Sequence, residues 1–289
     1  MRNSTVLRER LNGDRIIVLP GAYDALSALI IEQAGFENFF TTGFGLAAST
    51  LGVPDIGILT QTEIIERARR IARTVTIPLV ADMDTGYGNP INVIRTVREC
   101  VEAGIAGIIL EDQEWPKRCG HLEGKRVIPT EDHVQKIRAA VHARSDDDLV
   151  IIARTDARGV HGLDDAIARG RAYSAAGADV VFIEAPRSLA ELSAIRNAFP
   201  PDVHLFANMI ENGVTPFLKA SELQDLGFKM VVYPLSGLFA AAAALRTVFA
   251  TLYKSGTTAN SAPLVGLEEF KSLIALPTYS ALEQQFGAA

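Results

Sequence analysis

The chain has 289 residues, 48% of them hydrophobic and 21% charged, which suits a globular protein of one large domain or two small ones, a single barrel included. A net charge of -6 and a pI near 5.5 leave no basic footprint of the kind that grips nucleic acid or an anionic membrane, so a small molecule is the expected partner. Two cysteines, Cys100 and Cys119, are too few for a disulfide framework, and residues 1–15 carry no apolar core segment of the secretory kind, so the expected location is the cytoplasm.

The first strand is expected at residues 16–19, a continuous apolar run ended by Pro20-Gly21. Runs of this type are buried on both faces, as in parallel sheets. The pattern from Asp24 to Ala34 is helical and closes on Ala34-Gly35-Phe36. The same step recurs at Ala103-Gly104-Ile105, Ala176-Gly177-Ala178 and Leu226-Gly227-Phe228, each time before an apolar run. A glycine just past a helix is the usual terminator of a helix-to-strand connection.

Further apolar runs stand at 38–42, 78–81, 107–110, 149–153, 180–183, 204–207 and 230–233. Between them lie amphipathic stretches such as Asn92 to Val101, in which Val93, Ile94, Val97 and Val101 share a helical face and Cys100 belongs to the core. His133 and His142 fall in another predicted helix and are expected at the surface. Residues 230–245, the longest uncharged run, contain Pro234 and Gly237 and predict a buried strand feeding a buried helix in place of a membrane span. Eight β/α units point to a closed (β/α)8 TIM-type barrel, and no nucleotide-binding fingerprint follows the first strand. One barrel domain over 1–289, with a helical extension from about residue 240, is the expected organisation.

Polar residues follow these runs directly: Thr42-Gly43, Asp82 and Asp84, Glu111-Asp112, Arg154, Glu184 and Asn208. In a β/α barrel those ends form the face that holds the active site. Asp82 and Asp84 are two residues apart, which on an extended strand directs both to one side, and oxygen ligands suit Mg²⁺ or Mn²⁺, with Glu111 near enough to help through water. The other reading is a turn in which these aspartates cap backbone amides. Arg154 suits a bidentate grip on a substrate carboxylate, or an ion pair with Asp156 or Glu184. Glu184 could orient Arg154 or accept a proton, while Asn208, Thr42 and the Gly43 amide are neutral donors or plain turn groups.

Lys117-Arg118-Cys119-Gly120-His121 sets a thiol between two cations and an imidazole. Such surroundings favour thiolate and can tune a sulfur acid toward neutral pH. Gly120 and Gly124 would let the loop change shape, so that Cys119 arrives over the substrate on closure; the alternative is a structural surface cysteine.

Residues 82–88, Glu111-Asp112-Gln113, Lys117 to His121 and Ala153-Arg154-Thr155-Asp156-Ala157, in this order and spacing, resemble the isocitrate lyase and phosphoenolpyruvate mutase superfamily. The likeness covers nearly the whole chain and is nearest to the branch of the 2-methylisocitrate lyases, the 2,3-dimethylmalate lyases and the plant petal death protein. The resemblance implies a Mg²⁺ site of Asp82 and Asp84, with Glu111 and Asp55 in its water shell. It implies a backbone cradle for an oxyacid carboxylate at Thr42-Gly43-Phe44, substrate contacts from Arg154, Glu184 and Asn208, and a catalytic Cys119 in its Cys-Gly-His setting with Gly120 and His121. It also implies a homotetramer of dimers that exchange a C-terminal helix.

On this resemblance the expected reaction is Mg²⁺-dependent cleavage of a carbon–carbon bond in a 2-hydroxy dicarboxylate, an alkylmalate or 2-methylisocitrate type, to a 2-oxo acid and a carboxylate. Phosphonate chemistry is disfavoured by the Cys-Gly-His, and oxaloacetate hydrolysis by Pro234, which is often serine in the hydrolases. The non-enzymatic alternative is an oxyacid-binding regulatory barrel. Phe40 stands where methylisocitrate lyases have tyrosine, which leaves the base open between Glu184, Glu111 and a metal-bound hydroxide. Phe239 stands where those lyases place an arginine, so the resemblance implies an apolar substituent on the substrate instead of a third carboxylate.

Overall fold

The computed structural model describes residues 1–120, 124–261 and 263–287. Its strands are β1 (Ile17–Ala22), β2 (Phe39–Thr41), β3 (Leu79–Asp82), β4 (Gly107–Glu111), β5 (Val150–Thr155), β6 (Val180–Ile183), β7 (His204–Asn208) and β8 (Met230–Tyr233). All are parallel and hydrogen-bonded in sequence order, and β8 pairs with β1 to close the barrel. The expected (β/α)8 architecture is therefore what the chain adopts. The four glycines that end helices ahead of apolar runs, Gly35, Gly104, Gly177 and Gly227, all have left-handed φ between 79° and 102°, a conformation that costs a residue without Cβ little.

Side chains alternate along a strand, and one set of alternate positions fills the barrel. Phe40, Val80, Ile109, Ile152, Phe182 and Phe206 form one interior cluster with Leu19, Met230 and Val232. Two residues further along each strand, the next inward positions are Thr42, Asp82, Glu111, Arg154, Glu184 and Asn208. The outward set, including Ala81, Ile108, Leu110, Ile151 and Ala153, packs against the helices Gln61–Ala72, Pro90–Ala103 and Thr130–Arg144.

The amino-terminal end of the barrel is closed by the helix Asn3–Leu11, whose Leu7 and Leu11 join the interior cluster. The sequence shows little sign of this element, because two leucines one turn apart stand among Arg8, Glu9 and Arg10. Truncating either leucine should cost about 2–5 kcal/mol, the usual range for a buried leucine. Strand β1 also runs past Pro20-Gly21, which the sequence reads as its end, and pairs Gly21 with Phe40 and Ala22 with Thr41. Gly21 is required there because a Cβ would lie 2.0 Å from the Pro234 carbonyl oxygen.

Two expectations are corrected. His133 is fully buried: it shares the inner stripe of its helix with Ile137 and Ala140 and meets Tyr173 edge to face at 4.6 Å, whereas His142 is exposed. The helix after β8, Ser236–Ser255, has no buried residue, although by length and composition it could cross a membrane. It stands on the outside of the barrel and, like the helices Leu267–Leu273 and Leu276–Phe286 that follow, leaves large apolar side chains exposed.

Candidate active site

A cavity opens at the carboxyl end of the barrel, lined by the six inward residues Thr42, Asp82, Glu111, Arg154, Glu184 and Asn208. Cys119 and Gly120 reach it from the loop after β4, and Phe40, Phe44, Phe182, Ile210, Val232 and Leu235 give it apolar walls. Strand alternation thus brings together most of the residues singled out from the sequence. His121 lies outside the described residues. Phe239 is 41% exposed and does not line the cavity, because it stands one helical turn beyond Leu235 on a helix that leaves the barrel.

The acidic residues do not converge as one strand would direct them. Asp84 has φ 48°, a left-handed turn past the end of β3, so the two-residue alternation that should align it with Asp82 no longer applies. Asp82 accepts from the Asp84 amide at 3.0 Å and from the Gly43 amide at 3.4 Å, so it caps the turn as well as facing the cavity. Among the described residues no three His, Cys, Asp or Glu side chains meet as a ready metal cage. Instead Lys117 Nζ stands 2.6 Å from Asp84 Oδ1 and 2.6 Å from Asp55 Oδ1. The sequence offers Lys117 only as a cation beside the thiol; its place among the carboxylates follows from chain geometry that no spacing rule encodes.

Carboxylates still outnumber cations here. Burial pushes the Glu111 carboxyl well above the usual range, against the pull of Arg154 and Lys117, and burial likewise raises Asp84 to about 6 despite Lys117. Burial works against the Lys117 ammonium, but Asp84, Glu111 and Asp55 outweigh it and hold the pKa well above that of an ordinary lysine. Glu111 Oε1 is buried without a hydrogen-bond partner. An unsatisfied buried carboxylate oxygen on Glu111, in the cavity that the Asp82 carboxylate also lines, is the donor chemistry a hard divalent cation takes, so the residues present fit Mg²⁺.

Arg154 is gripped by Asp156 through two bonds of 2.9 and 3.0 Å, and its Nη2 lies 3.4 Å from Glu184 and 3.5 Å from Glu111. Its guanidinium also sits 5.3 Å from the centre of the Phe182 ring. Both ion pairs considered from the sequence are thus present, and the arginine still faces the cavity. Asn208 donates to both oxygens of Glu184, at 3.3 and 3.1 Å, and fixes that carboxylate. Thr42 caps the helix Gly43–Leu51 by accepting from the Phe44 amide at 3.1 Å. Gly43 is closely packed: a Cβ would lie 3.1 Å from Lys117 Nζ and 3.2 Å from Asp84 Oδ1, so a side chain there would press on that ion pair.

The thiol loop is held from below. The Cys119 amide donates to the Asp55 carbonyl at 3.2 Å, and Gln113 both accepts from the Arg118 amide at 2.9 Å and donates to its carbonyl at 2.8 Å. Gly120 does more than permit motion. A Cβ there would lie 2.4 Å from Arg154 Nη2 and 2.7 Å from Glu184 Cγ, so the glycine lets the loop backbone rest on both residues.

The carboxyl mouth of this closed parallel barrel joins buried carboxylates, a fixed arginine and a thiol on a loop, and likeness in sequence makes the chain an enzyme of the phosphoenolpyruvate mutase/isocitrate lyase superfamily. The chain belongs to the family described as phosphoenolpyruvate phosphomutase, which matches residues 7–253. It is similar to the 2,3-dimethylmalate lyase of Eubacterium barkeri, 42% identical over 288 residues and 99% of each chain. It is also similar to the 2-methylisocitrate lyase of Bacillus subtilis, 43% identical over 250 residues, 86% of this chain and 81% of that one. Among solved structures, an oxaloacetate acetylhydrolase bound to 3,3-difluorooxalacetate superposes with a TM-score of 0.94 at 37% identity, over 100% of this chain and 98% of that one. A phosphonopyruvate hydrolase complexed with oxalate and Mg²⁺ gives a TM-score of 0.89 at 34% identity, over 99% of each chain. With these relatives, the chain is an enzyme, a lyase of that superfamily.

Proposed function

We propose that this enzyme is a Mg²⁺-dependent carbon–carbon lyase that cleaves a 2-hydroxy dicarboxylate, of the alkylmalate or 2-methylisocitrate type, to a 2-oxo acid and a carboxylate. The observation that carries the reading is the meeting of Cys119 and Gly120 with Arg154 and Glu184 in one small cavity, where a carboxylate grip, a base and a proton donor face one another. Asp82 and Glu111 would hold the cation, with Asp84 and Asp55 behind them. Mn²⁺ would fill the same oxygen set. When bound, the ion supplies Lewis-acid polarisation of a substrate oxygen.

The chain's own groups do the rest. Arg154, locked by Asp156, binds one substrate carboxylate, and the amide end of the helix Gly43–Leu51 favours negative charge beside it. Glu184, fixed by Asn208, takes the proton of the 2-hydroxyl. The C2–C3 bond breaks as the C2 oxygen becomes a carbonyl, and the bonding pair stays with C3, delocalised into its own carboxylate. The Cys119 thiol gives its proton to C3, which completes the second product.

The test is turnover with a panel of substituted malates and with oxaloacetate, following release of a 2-oxo acid. A malate cleaved to a 2-oxo acid supports the proposal. Acetate and oxalate from oxaloacetate, with every malate inert, would move the site to the hydrolytic reading that the likeness to oxaloacetate acetylhydrolase favours. Ligand-dependent thermal protection with no turnover at all would leave an oxyacid-binding barrel.

We also propose a homotetramer of dimers that exchange C-terminal helices. Support comes from the exposed Leu245, Phe249, Leu252, Phe270 and Leu282 on those helices, an apolar face of the kind subunit contacts cover. Sedimentation of the whole chain tests this. Cys100 and Cys119 are not joined in a disulfide, which agrees with a reducing compartment, and the cytoplasm is the setting proposed.

A further inference from the structure

Lys125 follows the cysteine loop and plays no part in the chemistry above. Its side chain is 8% exposed, and its ammonium is shared between two acceptors on different segments. It donates to the carbonyl of Gly120, beside the thiol, and lies 3.3 Å from Asp156 Oδ1. Asp156 is the fully buried carboxylate that grips Arg154. The barrel wall fixes Asp156 in turn: its amide donates to Asp112 Oδ1 at 3.0 Å, and Asp112 Oδ2 accepts from Thr155 at 2.7 Å and Tyr173 at 2.8 Å. One unbroken set of contacts therefore runs from the wall through Asp156 and Lys125 to the backbone of the loop.

Arg154 already supplies Asp156 with a bidentate partner, so the fold does not require a second cation to neutralise this carboxylate. Burying an ammonium is costly unless its bonds are made, and of the two acceptors it finds Gly120 lines the cavity while Asp156 grips the arginine that does. Gly120, one of them, rests directly on Arg154 and Glu184. We propose that Lys125 is a positioning residue: by joining the Gly120 carbonyl to Asp156, it holds the Cys119 loop over the arginine, so that the proton donor and the carboxylate grip are set in register. Its consequence for turnover rests on the lyase reading; its geometry does not.

The experiment uses the whole protein with Mg²⁺ and measures two things. The first is the rate at which iodoacetamide alkylates Cys119, with and without oxalate, Cys100 being buried. The second is kcat and KM on the best malate. Lys125→Met keeps the aliphatic stem and removes the charge; it should raise Cys119 alkylation about tenfold in oxalate and lower kcat by about 10–100-fold with KM little changed, as loss of alignment predicts. Lys125→Arg should restore both to within about threefold. A folded Lys125→Met that alkylates at the wild-type rate overturns the proposal, whatever its turnover, since a stability role alone would not govern thiol access. Should Lys125→Met not fold, Lys125→Gln decides on the same alkylation comparison. If no malate is cleaved and oxalate fails to protect the wild-type thiol, the lyase reading falls, and the ligand-free alkylation rates still judge Lys125.

Discussion

Lys117 Nζ lies 2.6 Å from Asp84 Oδ1, and this contact commits the lysine two residues before the thiol to the carboxylate cluster. It neutralises part of a group that also holds Asp55, Asp82 and Glu111. Removing one partner of a buried pair leaves an uncompensated charge, at about 3–5 kcal/mol. Lys117→Met should therefore melt well below the parent in EDTA and regain much of the loss in Mg²⁺, which can take over the neutralisation. Differential scanning fluorimetry with and without the ion checks this, and a variant with the same melting point in both would show that Lys117 and cation do not share these oxygens.

Chelation should abolish turnover and Mg²⁺ or Mn²⁺ should restore it. The grounds are the orphaned Glu111 Oε1 and the excess of buried acid around it. Glu111→Gln should raise the metal concentration needed for half-maximal activation by at least about tenfold, since one charged ligand is lost. Full activity in excess EDTA would take the ion out of the mechanism.

Cys119→Ser should fold and bind metal but lose about 10²–10⁴ in kcat, the usual contribution of a general acid. The hydroxyl is a far weaker acid than a thiol. A variant within a few-fold of the parent would mean that solvent protonates C3 and that Cys119 serves only to pack the loop.

The six inward residues of this cavity, Thr42, Asp82, Glu111, Arg154, Glu184 and Asn208, were readable from the sequence because they obey the strand period. Arg154 follows Val150 and Ile152 at steps of two, and Glu184 follows Val180 and Phe182, so a polar residue at the end of a buried run has to face the barrel mouth. That rule stops where the backbone leaves the strand. Asp84 breaks it with a left-handed turn, and Lys117 and Lys125 find their partners across loops, through contacts whose sequence separation carries no period. Phe239 shows the same limit on a helix: its number places it near the mouth, but the direction in which its helix departs puts it outside the lining. His133 could have been found, because it lies four and seven residues before Ile137 and Ala140 on one helical stripe.

That histidine gives the protein an acid-sensitive core. Burial, reinforced by Lys136, pushes the His133 imidazole down to about 3, whereas in the unfolded chain it titrates near 6.5. Between those values the unfolded state binds one more proton, so stability falls as pH drops, by about 1.4 kcal/mol per pH unit from this group. His133→Phe keeps a ring against Tyr173 and removes the proton site. Urea unfolding between pH 6 and 4 should show a shallower loss of stability in the variant; parallel slopes would mean that the imidazole is charged in the folded state.

Substrate choice follows from the cations available. Of the described residues lining the cavity only Lys117 and Arg154 are basic, and Lys117 is taken by Asp55 and Asp84. Arg154 and the proposed cation would hold the two carboxylates of a malate, but a third would meet Phe40, Phe44, Phe182 and Leu235, with Phe239 one turn further out. Burying an unpaired carboxylate there would cost several kcal/mol, whereas an alkyl group gains about 0.8 kcal/mol per buried CH₂. A difference of about 3 kcal/mol is ~10²-fold in kcat/KM. The preferred substrate should therefore be a malate with an apolar substituent, such as 2,3-dimethylmalate or a 2-alkylmalate, over 2-methylisocitrate. Measuring kcat/KM for dimethylmalate, ethylmalate and methylisocitrate on one preparation decides it, and a clear preference for the tricarboxylate would show that a cation beyond these two reaches the cavity.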